Sequence, residues 1–168
     1  TLFDRLKGIA SEMTTFDRFW AVVGFFRTSG YFKLRRELGD ISEIKILVGI
    51  NIDDIFRKHN KALLMLADEE KAKEIYHNGF KKDIINAQYA PEVEEGILQM
   101  CDDLSCGRLQ MRIHANKNLH AKFYLCLPQN HSEHSDGWVI MGSSNTSDSG
   151  LGIKQPPQYE LTVAMKDY

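Results

Sequence analysis

A nearly continuous run of apolar residues constrains the fold of this 168-residue chain more than any other stretch. The run is Phe19-Trp20-Ala21-Val22-Val23-Gly24-Phe25-Phe26. Apolar side chains on both sides of an extended segment are typical of a central strand that is covered on both faces. A second apolar segment, 43–49, follows a short helical stretch that ends before Gly39. Strand, helix and strand in this order predict two parallel strands joined by a right-handed crossover.

The remaining elements follow from hydrophobic periodicity. An amphipathic pattern predicts a helix over 2–13, and a mostly helical block extends from about 54 to 105. Pro91 begins the last helix of that block, and its predicted buried stripe is Val93, Ile97, Leu98, Cys101 and Leu104. Further strands are predicted at 109–114, 119–127, 138–141 and 159–165. The predicted fold class is therefore α/β: a single domain over 1–168 with a mixed, largely central β-sheet flanked by helices.

Composition limits the possible partners and compartments. A net charge of −2 argues against a protein covered in positive charge, so any nucleic acid must meet a local basic groove. No apolar stretch approaches the ~20 residues of a membrane span, which predicts no membrane partner. Three cysteines without a C-x-x-C pattern favour the reducing cytoplasm. A zinc site built from Cys101, Cys106, His114 and His120 is an alternative that the irregular spacing disfavours.

The predicted strand 119–127 carries the first half of a candidate site. Ala121, Phe123, Leu125 and Leu127 share one face, and His120, Lys122, Tyr124 and Cys126 share the other. His120 and Lys122 therefore project side by side, about 7 Å apart along the strand. A neutral imidazole is a nucleophile for phosphorus, and a fixed ammonium neutralises phosphate charge that would repel it. The pair predicts a site for attack on a phosphate ester.

The second half of the site follows the apolar run 138–141, which reads as a partner strand and ends in Gly142-Ser143-Ser144-Asn145. Glycine lets the backbone approach a ligand closely, and serine and asparagine supply neutral donors for phosphate oxygens. A plainer interpretation is an ordinary turn beside a strand histidine and a solvated lysine.

Together, His120-x-Lys122 and Gly142-Ser143-x-Asn145 resemble the signature of the phospholipase D superfamily. The resemblance implies metal-independent cleavage of a phosphodiester without a cofactor. His120 would form a phosphohistidine, while Lys122, Ser143 and Asn145 would bind the oxygens of the phosphate. Gly142 and Ser144 would belong to the substrate-binding set.

Two further residues are assigned to the predicted site. In small nucleases of the superfamily, a glutamate on the strand after G-S-x-N helps to hold the catalytic histidine, and Glu160 stands at that place. The alternative for Glu160 is a strand-edge carboxylate in water. Arg112, on the predicted strand 109–114, would line the same groove as His120 or lie on a solvated edge.

The sequence also departs from the superfamily pattern. Leu127 stands where the superfamily has an aspartate, and the segment 128–137 lengthens the gap and reads as a hairpin loop. Asp136, within this loop, is a possible substitute for the missing carboxylate. A second H-x-K pair, His59 and Lys61, lies in a helical-looking stretch, where residues two apart point to different sides.

The resemblance extends to the partners. The segment 24–30 is similar to phospholipase D-like domains that precede helicase domains in large bacterial proteins. This implies DNA or RNA as substrate, a helicase domain in the parent chain, and a sequence excised from a larger protein. A single motif set predicts a homodimer that shares one active site. The alternatives to a nuclease are a catalytically lapsed nucleic-acid-binding or dimerisation module and, with less support, a phospholipid or small-diester hydrolase.

Overall fold

The computed structural model describes residues 1–52, 91–114, 119–154 and 159–167. The elements in chain order are α1 (Leu2–Glu12), β1 (Phe16–Phe26), α2 (Thr28–Glu37), β2 (Glu43–Ile52), α3 (Pro91–Ser105), β3 (Leu109–Ile113), β4 (Lys122–Pro128), β5 (Gly137–Gly142) and β6 (Thr162–Asp167). The predicted helical block is thus described only from residue 91 onward. The second H-x-K pair, at 59–61, lies outside the described residues.

The strands form a six-stranded mixed sheet in the order β3-β2-β1-β4-β5-β6. β1 pairs parallel with β2 and antiparallel with β4, which confirms both the central position of the apolar run and its parallel partner. β4 and β5 form an antiparallel hairpin, so the predicted loop at 128–137 is also confirmed. The α/β fold class follows from this sheet and the helices around it.

One face of the sheet carries the hydrophobic core. Phe19, Ala21 and Val23 of β1 are at most 2% exposed, and α1 packs on this side through Leu2 and Leu6. On the opposite face, Trp20 and Val22 are half-buried, so the central strand is covered less evenly than predicted. No helix of the described residues is long and apolar enough to cross a bilayer.

The ends of the helices follow local sequence signals. Thr1 caps α1 through a hydrogen bond that its hydroxyl accepts from the Asp4 amide, at 3.2 Å. Gly39, with φ of +67°, ends the segment that contains α2, because few side chains tolerate that conformation. Pro91 begins α3, as predicted.

The buried face of α3 agrees with the predicted stripe except at Leu98: Ile97 is buried, and Val93, Cys101 and Leu104 pack against the core. Gly96, Ile97, Met100 and Asp103 are buried, whereas Leu98 is 59% exposed. Gly96 lies against Phe32, where a Cβ would come within 2.5 Å of the ring, so α2 and α3 approach closely. Asp103 accepts hydrogen bonds from Arg35 at 2.6 and 3.2 Å. A buried ion pair thus occupies a position that the apolar pattern assigned to solvent.

Candidate active site

Two glycines and the backbone before β4 set the position of His120. A Cβ on Gly24 would lie 3.0 Å from the Leu119 carbonyl oxygen, and one on Gly49 only 2.3 Å from it. The backbone at 119–120 therefore crosses directly over the ends of β1 and β2. Because of this crossing, pairing of β4 with β1 ends at Lys122 and Val23. His120 precedes the strand, which corrects the prediction of a strand over 119–127.

His120 and Lys122 are in direct contact. The Lys122 Nζ lies 2.9 Å from both ring nitrogens of His120 and donates to the His120 carbonyl oxygen at 2.7 Å. Lys122 is only 7% exposed, whereas His120 is exposed. The ammonium is thereby held directly against the exposed ring.

Two opposing effects of the surroundings act on the pKa of Lys122. Burial lowers the pKa of Lys122 below its ordinary value of 10.5, and the negative charge of Glu160 opposes that shift. Glu160 thus contributes to the electrostatics of the site without a described hydrogen bond to His120.

Glu160 contacts Ser143. The Ser143 hydroxyl donates a short hydrogen bond to Glu160 Oε2 and accepts one from the Leu161 N–H at 3.0 Å. Glu160 lies two residues before β6, which pairs with β5 through Gly142 and Thr162. That pairing brings the carboxylate to the end of β5. The predicted contact of Glu160 with His120 is not among the described hydrogen bonds, and Glu160 is half-buried beside Ser143 rather than free in water.

Asn145 is oriented by the backbone of β1. Its Oδ1 accepts a hydrogen bond from the Phe25 N–H at 2.9 Å. The amide nitrogen is therefore the end of this side chain that remains for an acceptor such as a phosphate oxygen. Asn145 is half-buried, so both its position and its orientation are restrained.

Ser144 and Gly142 both have contacts within the protein. Ser144 is 1% exposed, and its hydroxyl lies 3.1 Å from the Thr162 hydroxyl. Its carbonyl accepts from the Tyr124 hydroxyl at 2.7 Å. A Cβ on Gly142 would lie 2.0 Å from the Leu161 carbonyl oxygen. The glycine allows close approach of the chain before β6, and the Ser144 hydroxyl is buried, so the substrate-binding roles of the two residues stay predictions.

Arg112 does not line the groove of His120. It lies on the edge strand β3, in register with Leu47 of β2, and β2 and β1 separate it from β4. The strand registers align Arg112 with Leu47 of β2 and, through it, with Val22 of β1, whereas Lys122 pairs with Val23. Because successive residues of a strand point to opposite faces, Arg112 and Lys122 lie on opposite faces of the sheet. The side chain is exposed. Of the two predicted positions, the solvated edge is the observed one.

Asp136 does not replace the missing carboxylate. It forms an ion pair with Lys166 at 2.7 Å, beside Gly137 at the start of β5. His120 lies near the other end of the sheet, two residues before β4 begins. Leu127, at the aspartate position of the superfamily pattern, is 7% exposed near the same distant end.

The zinc alternative finds no support in the described part of the chain. There, no group of three or more His, Cys, Asp or Glu side chains is arranged to hold a metal ion. Cys101, Cys106 and Cys126 are all free thiols. Burial raises the pKa of the Cys126 thiol to about 12, so this cysteine behaves as a core residue.

The residues that meet at this edge of the sheet form a coherent chemical set. An exposed imidazole stands beside a fixed ammonium, and a serine hydroxyl and an asparagine amide follow the neighbouring strand. Sequence reasoning did not identify Gly24 and Gly49 as the residues that position His120. Their one local signal is a glycine within a buried strand, which often marks close approach of another backbone.

Comparisons with known proteins give a similarity of structure alone. No protein-family model and no curated protein sequence matches the chain. The chain resembles yeast tyrosyl-DNA phosphodiesterase. The match to that crystal structure, and to those of two mutants with a histidine replaced by asparagine or alanine, has a TM-score of 0.48 at 11% identity. It covers 98% of this chain and 29% of the yeast chain, so this chain spans less than a third of that protein.

Proposed function

We propose that this chain is a phosphodiesterase of the nuclease type, which cleaves DNA or RNA through a phosphohistidine on His120. The observation that carries the proposal is the contact of the buried Lys122 ammonium with the exposed imidazole, 2.9 Å from its ring nitrogens. A nucleophile held beside a fixed positive charge is suited to an anionic phosphorus centre.

The reaction has two steps. A ring nitrogen of His120 attacks phosphorus, a phosphorus–nitrogen bond forms, and the bond to the leaving oxygen breaks as that oxygen takes a proton from a general acid. Water then attacks the phosphohistidine, gives its proton to the same group acting as base, and restores the imidazole. Lys122 and the amide of Asn145 stabilise the non-bridging oxygens as negative charge builds.

Ser143 enters this scheme in a conditional role. Its hydroxyl donates to Glu160 in the described structure, so it binds a phosphate oxygen only after that hydrogen bond is released. An approaching phosphate repels the Glu160 carboxylate, which favours the release. Glu160 is therefore assigned as a positioning residue for Ser143 and as a counter-charge for Lys122.

We place the general acid on a second copy of the chain. One motif set supplies one nucleophilic histidine, and His120 of the partner subunit would protonate the leaving oxygen across a two-fold axis. An exposed apolar row on β6 and the residue before it offers a surface for association of two copies: Leu161, Val163 and Met165 are 76%, 49% and 47% exposed. The registers place Val163 on the face of the sheet opposite Lys122, so this row bears on the association of two copies, and the shared site rests on the single motif set. Met141 of β5 is also 38% exposed. These residues, here called the β6 apolar row, begin beside Ser143.

A lapsed binding module is the second candidate. It is favoured by the Ser143 hydroxyl being engaged by Glu160 and by Leu127 in place of the superfamily aspartate. A helicase domain in the parent chain stays a prediction of the sequence resemblance. A cytoplasmic location stays a prediction of the cysteine pattern, and the three free thiols are consistent with a reducing compartment.

The test is cleavage of single- and double-stranded DNA, and of bis(p-nitrophenyl) phosphate, in excess EDTA. EDTA suppresses contaminating nucleases that need a divalent cation. We expect His120→Ala to lower the rate at least ~100-fold. His134→Ala is the matched control, since His134 is 86% exposed in the β4–β5 turn. Equal rates for the wild type and His120→Ala, with both folded, would overturn the nuclease proposal and favour the binding module.

A further inference from the structure

A groove of about 390 Å³ opens beside Glu160, along the part of β6 that faces α1. Thr162 and Ala164 of β6 line it, with Arg5 of α1, Gly152 of the preceding loop, Tyr159 and Glu160 itself. The volume lies within the ~300–1,000 Å³ of small-ligand sites. Glu160 lines the groove and also accepts the Ser143 hydroxyl, so one end of the groove lies beside the candidate active site.

Tyr159 is the most distinctive residue of this groove. Tyr159 is 97% exposed, although tyrosine carries a large aromatic ring that usually contributes to buried contact area. A ring of this kind beside a groove is typical of a stacking platform for unpaired bases.

Arg5 supplies the positive charge of the groove. It is exposed on the first turns of α1, and no ion pair involving it occurs among the described residues. The acidic residue of the groove, Glu160, already accepts the Ser143 hydroxyl. The cation that remains for a ligand in this groove is therefore an arginine, which recognises phosphate through its planar fork of donors.

We propose that this groove binds one unpaired nucleotide next to the scissile phosphate, with its base stacked on Tyr159 and its phosphate held by Arg5. The inference rests on the proposed function and makes single-stranded nucleic acid the preferred substrate. A base in a duplex is stacked and paired, so its face is not available to the tyrosine ring.

The experiment measures the dissociation constant of a short fluorescent single-stranded oligonucleotide by anisotropy, in the His120→Ala background so that no cleavage occurs. We expect Tyr159→Ala to weaken binding about 10-fold and Tyr159→Phe to stay near the parent value, since phenylalanine keeps the stacking ring. Arg5→Ala should weaken binding and reduce the salt slope by about one phosphate contact. Arg36→Ala is the control, since Arg36 is an exposed arginine of α2 that pairs with Glu95 of α3 and lies outside the groove.

The same oligonucleotide annealed to its complement gives the second measurement. Tyr159→Ala should remove most of the preference for the single strand over the duplex. Equal affinity of Tyr159→Ala and its parent for the single strand would overturn the groove assignment. The proposed chemistry is scored separately, by His120-dependent hydrolysis of bis(p-nitrophenyl) phosphate. Hydrolysis without a Tyr159 effect rejects the groove alone, and a Tyr159 effect without hydrolysis rejects the nuclease alone.

Discussion

His120 owes its position to two glycines rather than to strand pairing. The motif identified the residue, but the alternating pattern placed it inside the strand. The backbone leaves the sheet at this point because the Leu119 carbonyl lies against Gly24 and Gly49. These residues are distant in sequence, and periodicity describes only neighbours along one element. The same limit applies to Glu160, whose contact with Ser143 depends on how β6 pairs with β5.

Replacement of Lys122 by arginine tests the electrostatics of this residue. Burial lowers the pKa of Lys122 below 10.5, so its ammonium is lost at a lower pH than that of an exposed lysine. We expect the catalytic rate of the wild type to fall at alkaline pH, and the fall to begin below the pH at which an exposed lysine loses its proton. The reason is that the neutral amine no longer stabilises phosphate charge. Arginine stays protonated throughout, so Lys122→Arg should be slower at neutral pH but lack this alkaline fall.

The measurement is kcat/KM for bis(p-nitrophenyl) phosphate as a function of pH in both proteins. Titration of Lys122 does not unfold the protein at alkaline pH, so the expected loss of activity is not a loss of folded protein. The folded lysine releases its proton at lower pH than the unfolded one, so this group adds stability as pH rises toward 10.5. An identical alkaline fall in the two proteins would show that Lys122 is not the titrating group.

The packing of α2 against α3 includes a buried carboxylate, that of Asp103, whose burial a hydrophobic pattern does not predict. Apolar spacing placed Leu98 inside, whereas the buried positions include Met100 and Asp103. Asp103 is buried because Arg35 and Arg108 donate to its carboxylate from other elements, at 2.6 and 2.7 Å. The helix ends, by contrast, follow from Gly39 and Pro91, which act through the local backbone and are readable from sequence.

Asp103→Ala tests this helix contact. Removing one member of a buried ion pair leaves the other charge uncompensated, so we expect the free energy of unfolding to fall by about 3–5 kcal/mol. Asp102→Ala, at the adjacent exposed position of α3, should change it by less than about 0.5 kcal/mol. Chemical denaturation at neutral pH measures both values. Equal stability of the two variants would contradict the role assigned to Asp103.

The Asp103 contribution should also depend on pH. Burial opposes ionisation of this carboxyl, but the hydrogen bonds from Arg35 and Arg108 hold its pKa below the ordinary 3.8. The stabilisation is therefore complete above that value and is lost as pH falls through the lower folded pKa. The difference between the wild type and Asp103→Ala should shrink in strong acid.

At the scale of the whole molecule, the order of the predicted elements along the chain predicted the pairing of β1 with β2 but not the pairing of β1 with β4. β1, α2 and β2 are consecutive, so the strand–helix–strand order predicts their parallel pairing. The pairing of β1 with β4 joins segments about a hundred residues apart, and no periodicity specifies it. That pairing nevertheless brings Lys122 beside Val23 and thereby creates the site.

The proposed dimer is the prediction that involves the whole molecule. A site shared across a two-fold axis needs both copies of His120, so a mixed dimer of wild-type and His120→Ala chains should be inactive. When the two are unfolded together, refolded and mixed in equal amounts, activity should fall to about a quarter of that of an all-wild-type sample at the same total concentration, instead of about a half for independent subunits.

The β6 apolar row offers the matching structural test. Val163 is 49% exposed, so Val163→Lys places a charge on this surface without removing a core side chain. A charge inside an apolar contact is costly unless it is paired. We expect sedimentation equilibrium to show a dimer for the wild type and a folded, inactive monomer for Val163→Lys. Lys154→Ala, an exposed residue outside the row, should remain dimeric and active. An active wild-type monomer would contradict the shared site, because a single chain would then supply both the nucleophile and the general acid.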